Sequence, residues 1–410
     1  MPDFLTFLSR NMRWIAGGFL LCFFSSFGQT FFISLSNAQI REAFALSHGE
    51  FGLIYMVATL ASAATLPFLG GLLDRYSIMA VSIGSMAMLT VATLALPLAG
   101  SIVTLVIALY LLRLFGQGMM TEISHTAIGK WFVASRGRAI AVTTLGLHFG
   151  TALFPFAFVA LSGAFGWRGA WMAGAAVMLV LALPLIAGLV RRERDPVASE
   201  PPSPDKVPVR DWSRREVLRD PNFYVALVGV LAPPFIGTTI YFHQVYLTEL
   251  KGWSLDIFAL GFAAMSAMTV VTTLLAGSAV DRYTSVRLLP SFLVPLAAAC
   301  FVAAVGDGTW TIFVFMGLLG ISTGLSSTLV GSLWPELYGA AHLGAIRSMV
   351  LSAAVLFTAI GPGLTGFLID MEVPYEAQLA AMGIYSAVAA IAMLNLSRKI
   401  VAGRIAAPAR

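Results

Sequence analysis

The sequence predicts an all-α membrane protein whose twelve spanning helices fall into two similar groups of six. Composition, the number of long apolar runs and an internal repeat carry that prediction. Of 410 residues, 58% are hydrophobic and 11% are charged, whereas soluble domains carry roughly 25% charged residues. A spanning helix needs roughly 20 mostly apolar residues. Twelve such runs can be drawn, at 14–37, 50–73, 78–99, 102–129, 138–163, 169–190, 223–247, 257–280, 287–306, 311–335, 346–369 and 376–396. The first is too long for a signal-peptide core and lacks a small-residue cleavage site, so it reads as an uncleaved span.

Charge placement orients these runs. Of the 25 Lys and Arg residues, 21 fall on the side shared by the two ends and by residues 191–221. The opposite side has Arg41, Arg168 and Lys251, and only Arg113 falls deep inside a run, Arg138, Arg287 and Arg347 standing at the very start of theirs. Basic loops stay in the cytoplasm, so both termini and the central loop are expected there, with the spans in the cytoplasmic (inner) membrane. The net charge of +5 is therefore a topology signal, and no nucleic-acid partner is expected. Residues 191–221 are rich in Pro and charge and read as a connector, with one short surface helix near Trp212 to Leu218. The expected organisation is a six-helix bundle over 1–190, the linker over 191–221 and a second bundle over 222–410. Cys22 and Cys300 lie in apolar runs and read as buried free thiols.

The repeat emerges from two short stretches. GGLLDRY begins at Gly70 and GSAVDRY at Gly277, 207 residues later. Gly70, Asp74, Arg75 and Tyr76 match Gly277, Asp281, Arg282 and Tyr283. Thr151, Ala152 and Pro155 match Thr358, Ala359 and Pro362 at the same offset. One offset holding for two separated segments, with an even number of spans in each copy, predicts parallel repeats about an axis normal to the membrane.

At these residues the chain resembles the major facilitator superfamily of transporters over essentially its whole length. Gly70, Asp74 and Arg75 fit the family's G-x-x-x-D-R-x-G-R-R loop motif, although Ser77-Ile78-Met79 replaces its trailing Gly-Arg-Arg. Arg113, Gln117 and Gly118 look like its R-x-x-x-Q-G motif. The stretches KWFVASRGRAIAVTTLGLHFG and WPELYGAAHLGAIRSM look most like bacterial relatives of the monocarboxylate and oxalate–formate branch. That branch often carries a basic residue in the eighth span, where this chain has Thr272-Thr273-Leu274. The resemblance implies two bundles rocking around a site near the midplane. It also implies a small-molecule solute, a proton or other coupling ion, no cofactor and no enzymatic activity.

Charged side chains in mid-bilayer cost about 2.5–3.5 kcal/mol even on lenient insertion scales, so each is a functional candidate. Arg113 lies about 16 Å into its run at 1.5 Å per residue. Gln117, Thr121 and Ser124 follow at helical spacing, making one polar face. Arg113 can attract an anionic substrate, control a neighbouring proton, or hydrogen-bond carbonyls of the first span. Glu122 and His125 share a helix face and are candidate proton-coupling residues, with an interfacial polar cluster as the alternative. His148, near mid-depth, either lines the cavity or packs within Gly146-x-x-x-Gly150, a close-packing signature. Gln29, Tyr241, His243, Thr323 and Ser327 complete the candidate substrate-binding set. For the hydroxyls the alternative is donation to their own helix. Pro233-Pro234 is expected to break the seventh span.

In this family the second span meets the eleventh and the fifth meets the eighth. The repeated Asp-Arg pairs are therefore expected to form a cytoplasmic latch. Asp281 would pair with Arg138 at the start of the fifth span, and Asp74 with Arg347 at the start of the eleventh, with Arg75 and Arg282 beside them. Carboxylates suit helix N-termini. No P-loop, H-E-x-x-H or Cys-x-x-Cys occurs, and the five histidines are dispersed, so neither ATP hydrolysis nor a metal site is expected. The expected function is proton-coupled transport of a small organic anion such as a monocarboxylate, by a monomer. Export of amphipathic or drug-like compounds by proton antiport is the alternative within transport, and a non-transporting sensor or scaffold the alternative outside it.

Overall fold

The computed structural model describes residues 2–132, 136–192, 212–339 and 342–406. The side chains of residues 2–6, Asp74, 136–138, Asp281, 343–345 and 403–406 lie outside that description. Every regular element among the described residues is helical. Ten helices are long and apolar enough to cross a membrane, and an eleventh crossing is a broken pair, Phe7–Gly28 and Thr30–Phe44, bent by 46°. The helix Ala139–Val190 has 52 residues, far more than a crossing requires. It turns at Gly166 (φ 69°, ψ 165°), a conformation that glycine adopts without a Cβ penalty. That turn divides it into the fifth and sixth spans, giving twelve.

The chain forms two compact units, residues 1–46 with 53–205, and residues 47–52 with 206–410. The helix His48–Gly70 therefore begins in the second unit and continues in the first.

The 207-residue repeat is written into the backbone as well as the sequence. Helix Asn37–Phe44 in one unit matches Gln244–Lys251 in the other. The residues before them, Ser36 (φ −100°, ψ 12°) and His243 (φ −96°, ψ 18°), share one irregular conformation. The residues that end them, Ala45 (φ 51°) and Gly252 (φ 62°), are both left-handed. A left-handed residue closes a helix by letting its N–H reach back to an orphan carbonyl. Span starts at His48 and Leu255, and at Arg136 and Leu343, keep the same offset.

Packing follows the small residues. A Cβ on Gly146 would meet the Phe19 carbonyl, and one on Gly150 would meet the Ser26 hydroxyl and the Phe23 carbonyl. The two glycines thus set the fifth span directly against the first, as the G-x-x-x-G spacing predicts. Beside them Phe27, Phe32, Phe154, Phe158 and Trp171 form a cluster of edge-on ring contacts. Its polar end is satisfied by Trp171 Nε1, which donates to Ser36 Oγ at 2.8 Å. Large side chains such as Val103, Val180 and Leu274 project outward, where hydrocarbon replaces water as the solvent.

Two expectations need correction. Pro233 and Pro234 do not break the seventh span; Pro221–Phe242 is one continuous helix, and the interruption falls at His243. Spanning helices tolerate proline because neighbouring groups re-satisfy the freed backbone. The first span is not one continuous helix over 14–37, because it unwinds at Gln29. Of the linker, residues 193–211 lie outside the described set. The predicted surface helix is one turn, Arg214–Val217, opened by a Ser213–Glu216 capping box. Trp212 pins its start, donating its N–H to the Tyr338 carbonyl at 2.9 Å with the two rings 5.5 Å apart. Cys22 and Cys300 are buried and free.

Candidate functional site

In the first unit two irregular segments meet. The first span runs as an α-helix to Phe24, tightens into a 3₁₀ turn over Ser25–Gly28, and becomes extended at Gln29 (φ −81°, ψ 149°). The fourth span widens into a π-helix over Leu112–Met120. Gly28 and Gly116 lie at the crossing. A Cβ on Gly116 would sit 2.5 Å from the Gly28 Cα, and one on Gly28 would sit 2.6 Å from the Gly116 Cα. No residue larger than glycine lets these backbones approach so closely.

The extra width of the π-turn positions Arg113. The side chain is 3% exposed, and its Nη1 donates to the Gly28 carbonyl and to Thr30 Oγ1, both at 3.2 Å. The guanidinium lies 5.3 Å from the centre of the Tyr55 ring, close enough for a cation–π attraction. Tyr55 in turn shares a 2.7 Å hydrogen bond with Thr30. The first-span contact anticipated for Arg113 is therefore present, and the break at Gln29 supplies it by exposing a carbonyl.

That contact leaves Arg113 incompletely satisfied. Its Nε is buried without a hydrogen-bond partner among the described residues, and so are Gln117 Oε1 and Thr121 Oγ1. These three residues follow one another at four-residue spacing, hence on one helix face. No carboxylate pairs with Arg113 among the described residues. The face thus presents a positive charge, an unfilled N–H, an unfilled amide oxygen and an unfilled hydroxyl. A buried unpaired cation costs several kcal/mol unless a counter-charge arrives, and a planar guanidinium with N–H groups to spare matches a carboxylate.

The residues matched by a family model extend from 18 to 268 and include this site; the model is that of the Major Facilitator Superfamily. The chain belongs to the Major Facilitator Superfamily. It is a multi-pass membrane transporter and not an enzyme. This facilitator is 24% identical over 402 residues to the hexuronate transporter of Bacillus subtilis (strain 168), covering 90% of each chain. It is 23% identical over 411 residues to the probable L-galactonate transporter of Escherichia coli (strain K12), covering 90% of this chain and 85% of that one. Among solved structures it is similar to a bacterial homologue of the human lysosomal transporter Spinster, in an inward-facing and unoccupied conformation. The TM-score is 0.74 at 17% identity, covering 97% and 98% of the two chains.

The facilitator's other anticipated site residues are distributed as follows. Gln29 is half-buried at the break itself. Glu122 is exposed and accepts from Thr126 at 3.2 Å, whereas His125 turns to Thr144 on the fifth span at 3.5 Å. The helix brings the two residues near one another, but no hydrogen bond joins them. His148 is half-buried between the two packed glycines. In the second unit the Tyr241 hydroxyl donates to Met265 Sδ at 3.2 Å. His243 is fully buried and lies 3.0 Å from the Pro362 carbonyl through Nε2. Thr323 and Ser327 donate to Leu319 and Gly324 of their own helix.

For the latch, the side chains of Asp74, Asp281 and Arg138 lie outside the described residues. Arg75 is exposed, Arg282 lies over the Tyr283 ring, and Arg347 donates to the Gly331 carbonyl at 2.7 Å. Sequence reasoning missed Tyr55, Thr30, the glycine contact and the π-turn. A glycine inside an apolar run hints at close backbone approach, and Gly28 and Gly116 both carried that hint. Tyr55, in the next span, carried none.

Proposed function

We propose that this facilitator is a secondary transporter that moves a small organic monoanion of the sugar-acid kind across the inner membrane by alternating access, coupled to protons, with both termini cytoplasmic. One observation carries the reading: a buried Arg113 with no carboxylate partner among the described residues, on a helix face that also holds a Gln117 oxygen and a Thr121 hydroxyl without partners among them. A carboxylate fills the unused guanidinium N–H, and sugar hydroxyls can donate to Gln117 and accept from Thr121. The relatives named for hexuronate and L-galactonate support a hydroxylated carboxylate over a simple monocarboxylate. Glu122, exposed within a span, suits a proton-binding group, because an intramembrane carboxylate must face protein or water and not lipid. Gln29, His148, Tyr241, His243, Thr323 and Ser327 are proposed as further solute contacts, and His125 as a neighbour of Glu122. Asp74, Arg75, Arg138, Asp281, Arg282 and Arg347 are proposed as gating residues.

The test is uptake of labelled L-galactonate and glucuronate into proteoliposomes with an imposed pH gradient, with binding measured in parallel. Arg113→Gln is expected to weaken anion binding about 10-fold to 150-fold, the worth of one charge-assisted hydrogen bond. Arg113→Lys, which keeps the charge but loses the planar fork, should fall between that variant and the native protein. Equal binding by all three, or binding only of lipophilic cations, overturns the reading and makes export of amphipathic compounds the better one.

A further inference from the structure

A cavity lies wholly within the second unit, between the seventh, eleventh and twelfth spans (Pro221–Phe242, Leu343–Asp370 and Tyr375–Ala406). Its volume is about 600 Å³. Phe235 and Phe357 line it, Ala377 and Ala381 leave the space open, and Leu364 and Tyr385 stand at its mouth. Leu364 and Tyr385 are 48% and 37% exposed. The faces on either side carry Phe367, Ile384 and Val388, all exposed. The cavity therefore opens sideways onto a surface that contacts hydrocarbon.

Its polar lining residues are Thr365, Gln378 and Tyr385, and the Tyr385 hydroxyl donates to the Val228 carbonyl at 2.7 Å. Gln378 is 6% exposed and lines the cavity one turn into the last helix. Its Nε2 donates to the Val373 carbonyl at 3.1 Å, which fixes the amide orientation. Its Oε1 is buried without a partner among the described residues. No charged side chain among the described residues lines the cavity. Phe357 to Leu368 marks its length along the eleventh span, roughly 16 Å at 1.5 Å per residue. That is about half of a hydrocarbon core roughly 30 Å thick, the depth of one leaflet.

A groove one leaflet long, open to lipid, mostly apolar along its length and ending at headgroup depth in an unfilled acceptor matches one kind of molecule. We propose that this cavity holds one acyl chain of a membrane phospholipid whose headgroup carries a hydrogen-bond donor, donated to Gln378 Oε1. The chain lies along Leu364, Ala381 and Phe357, in the leaflet that contains the 371–374 loop. With no cation in the lining, an ethanolamine ammonium or a glycerol hydroxyl fits better than a headgroup lacking a donor.

The full-length protein is reconstituted into vesicles containing phosphatidylethanolamine with a diazirine on its acyl chain. After irradiation the adducts are mapped by peptide mass spectrometry. Adducts are expected to concentrate on 357–368 and 377–385. Ala381→Trp should fill the groove and lower them about tenfold or more, the worth of two buried methylenes, without changing labelling of Val91 or Val180 on the other unit. The same tail on phosphatidylcholine should label these peptides about threefold to tenfold less, one hydrogen bond's worth, and Gln378→Leu should erase that difference. Uniform labelling of all outward-facing helices, or labelling insensitive to Ala381→Trp, overturns the site. Equal labelling by both headgroups in the native protein overturns the role given to Gln378.

Discussion

Gly116→Ala is the sharpest test of the geometry on which the Arg113 site rests. The added methyl would lie 2.5 Å from the Gly28 Cα and 2.6 Å from the Gly28 nitrogen, against an ordinary contact of 3.4–4 Å. The obstructing atoms are backbone, so no flexible side chain can swing aside. The two spans must separate by roughly 1 Å in a tightly packed interior, and overpacking of this kind costs about 1–3 kcal/mol. We expect the upper end, because the shift also draws the Gly28 carbonyl away from Arg113 Nη1, now 3.2 Å distant. Reversible unfolding in mixed detergent micelles measures the change directly. Gly84→Ala is the matched control, since nothing lies within 4 Å of a Cβ there and the substitution should gain up to about 1 kcal/mol of helix propensity. The close-approach reasoning fails if Gly116→Ala is as stable as Gly84→Ala.

Three further outcomes follow from individual contacts. Asp370 accepts from Ser47 Oγ at 2.6 Å and from the His48 and Gly49 amides at 3.0 and 2.7 Å, so Asp370→Ala should cost about 1 kcal/mol of capping and speed hydrogen exchange at amides 48–50. Glu336 accepts from the Ser285 and Val286 amides at 2.8 and 3.3 Å; Glu336→Ala should fray the start of the ninth span by about 1 kcal/mol, visible as local exchange there and not at 48–50. Trp171→Phe removes the N–H that reaches buried Ser36 and should cost about 1–3 kcal/mol. Adding Ser36→Ala should recover part of that loss, as the double-mutant cycle for a contacting pair requires.

The fold was legible because the membrane simplifies the reading. Apolar length and Lys/Arg placement suffice to draw spans, and the Asp74–Arg75 and Asp281–Arg282 echo divided them six and six. The short helix near Trp212 to Leu218 was legible, and the Ser213–Glu216 capping box that opens it, though local, was not drawn from the sequence. Breaks were harder. Two consecutive prolines at 233–234 pointed to an interruption that occurs instead at His243, where neither proline nor glycine stands. A proline effect depends on whether neighbouring helices satisfy the freed carbonyls, and that is tertiary information. The π-turn at Leu112–Met120 was invisible for a related reason, since its residues are ordinary helix formers apart from two glycines. Arg113 stood out because charge in a span is costly. Tyr55, which completes its surroundings, is an aromatic residue among many.

The repeat itself sharpens what Arg113 means. Helix ends, caps and left-handed residues recur at the 207-residue offset, yet the site does not. The fourth span carries the π-turn, and the tenth, Trp310–Tyr338, is α-helical throughout. At the 207-residue offset Arg113 corresponds to Gly320, which Ile321 follows, and neither is polar. At Gly320 a Cβ would strike the Met265 carbonyl, so the second copy uses this position for close packing and has no room for a guanidinium. Gly28 corresponds to Phe235, which lies within an unbroken helix with its ring 6.1 Å from that of Phe357. Both units keep the scaffold of the repeat, whereas the first unit also has a widened helix, a carbonyl freed by the break opposite it and a charge. Arg113→Gln should therefore abolish the charge dependence of anion binding, with no residue of the tenth span able to stand in for it. An Ile321→Arg change in that background should not restore binding, because the second copy has neither the π-turn nor the broken partner that hold the guanidinium in place.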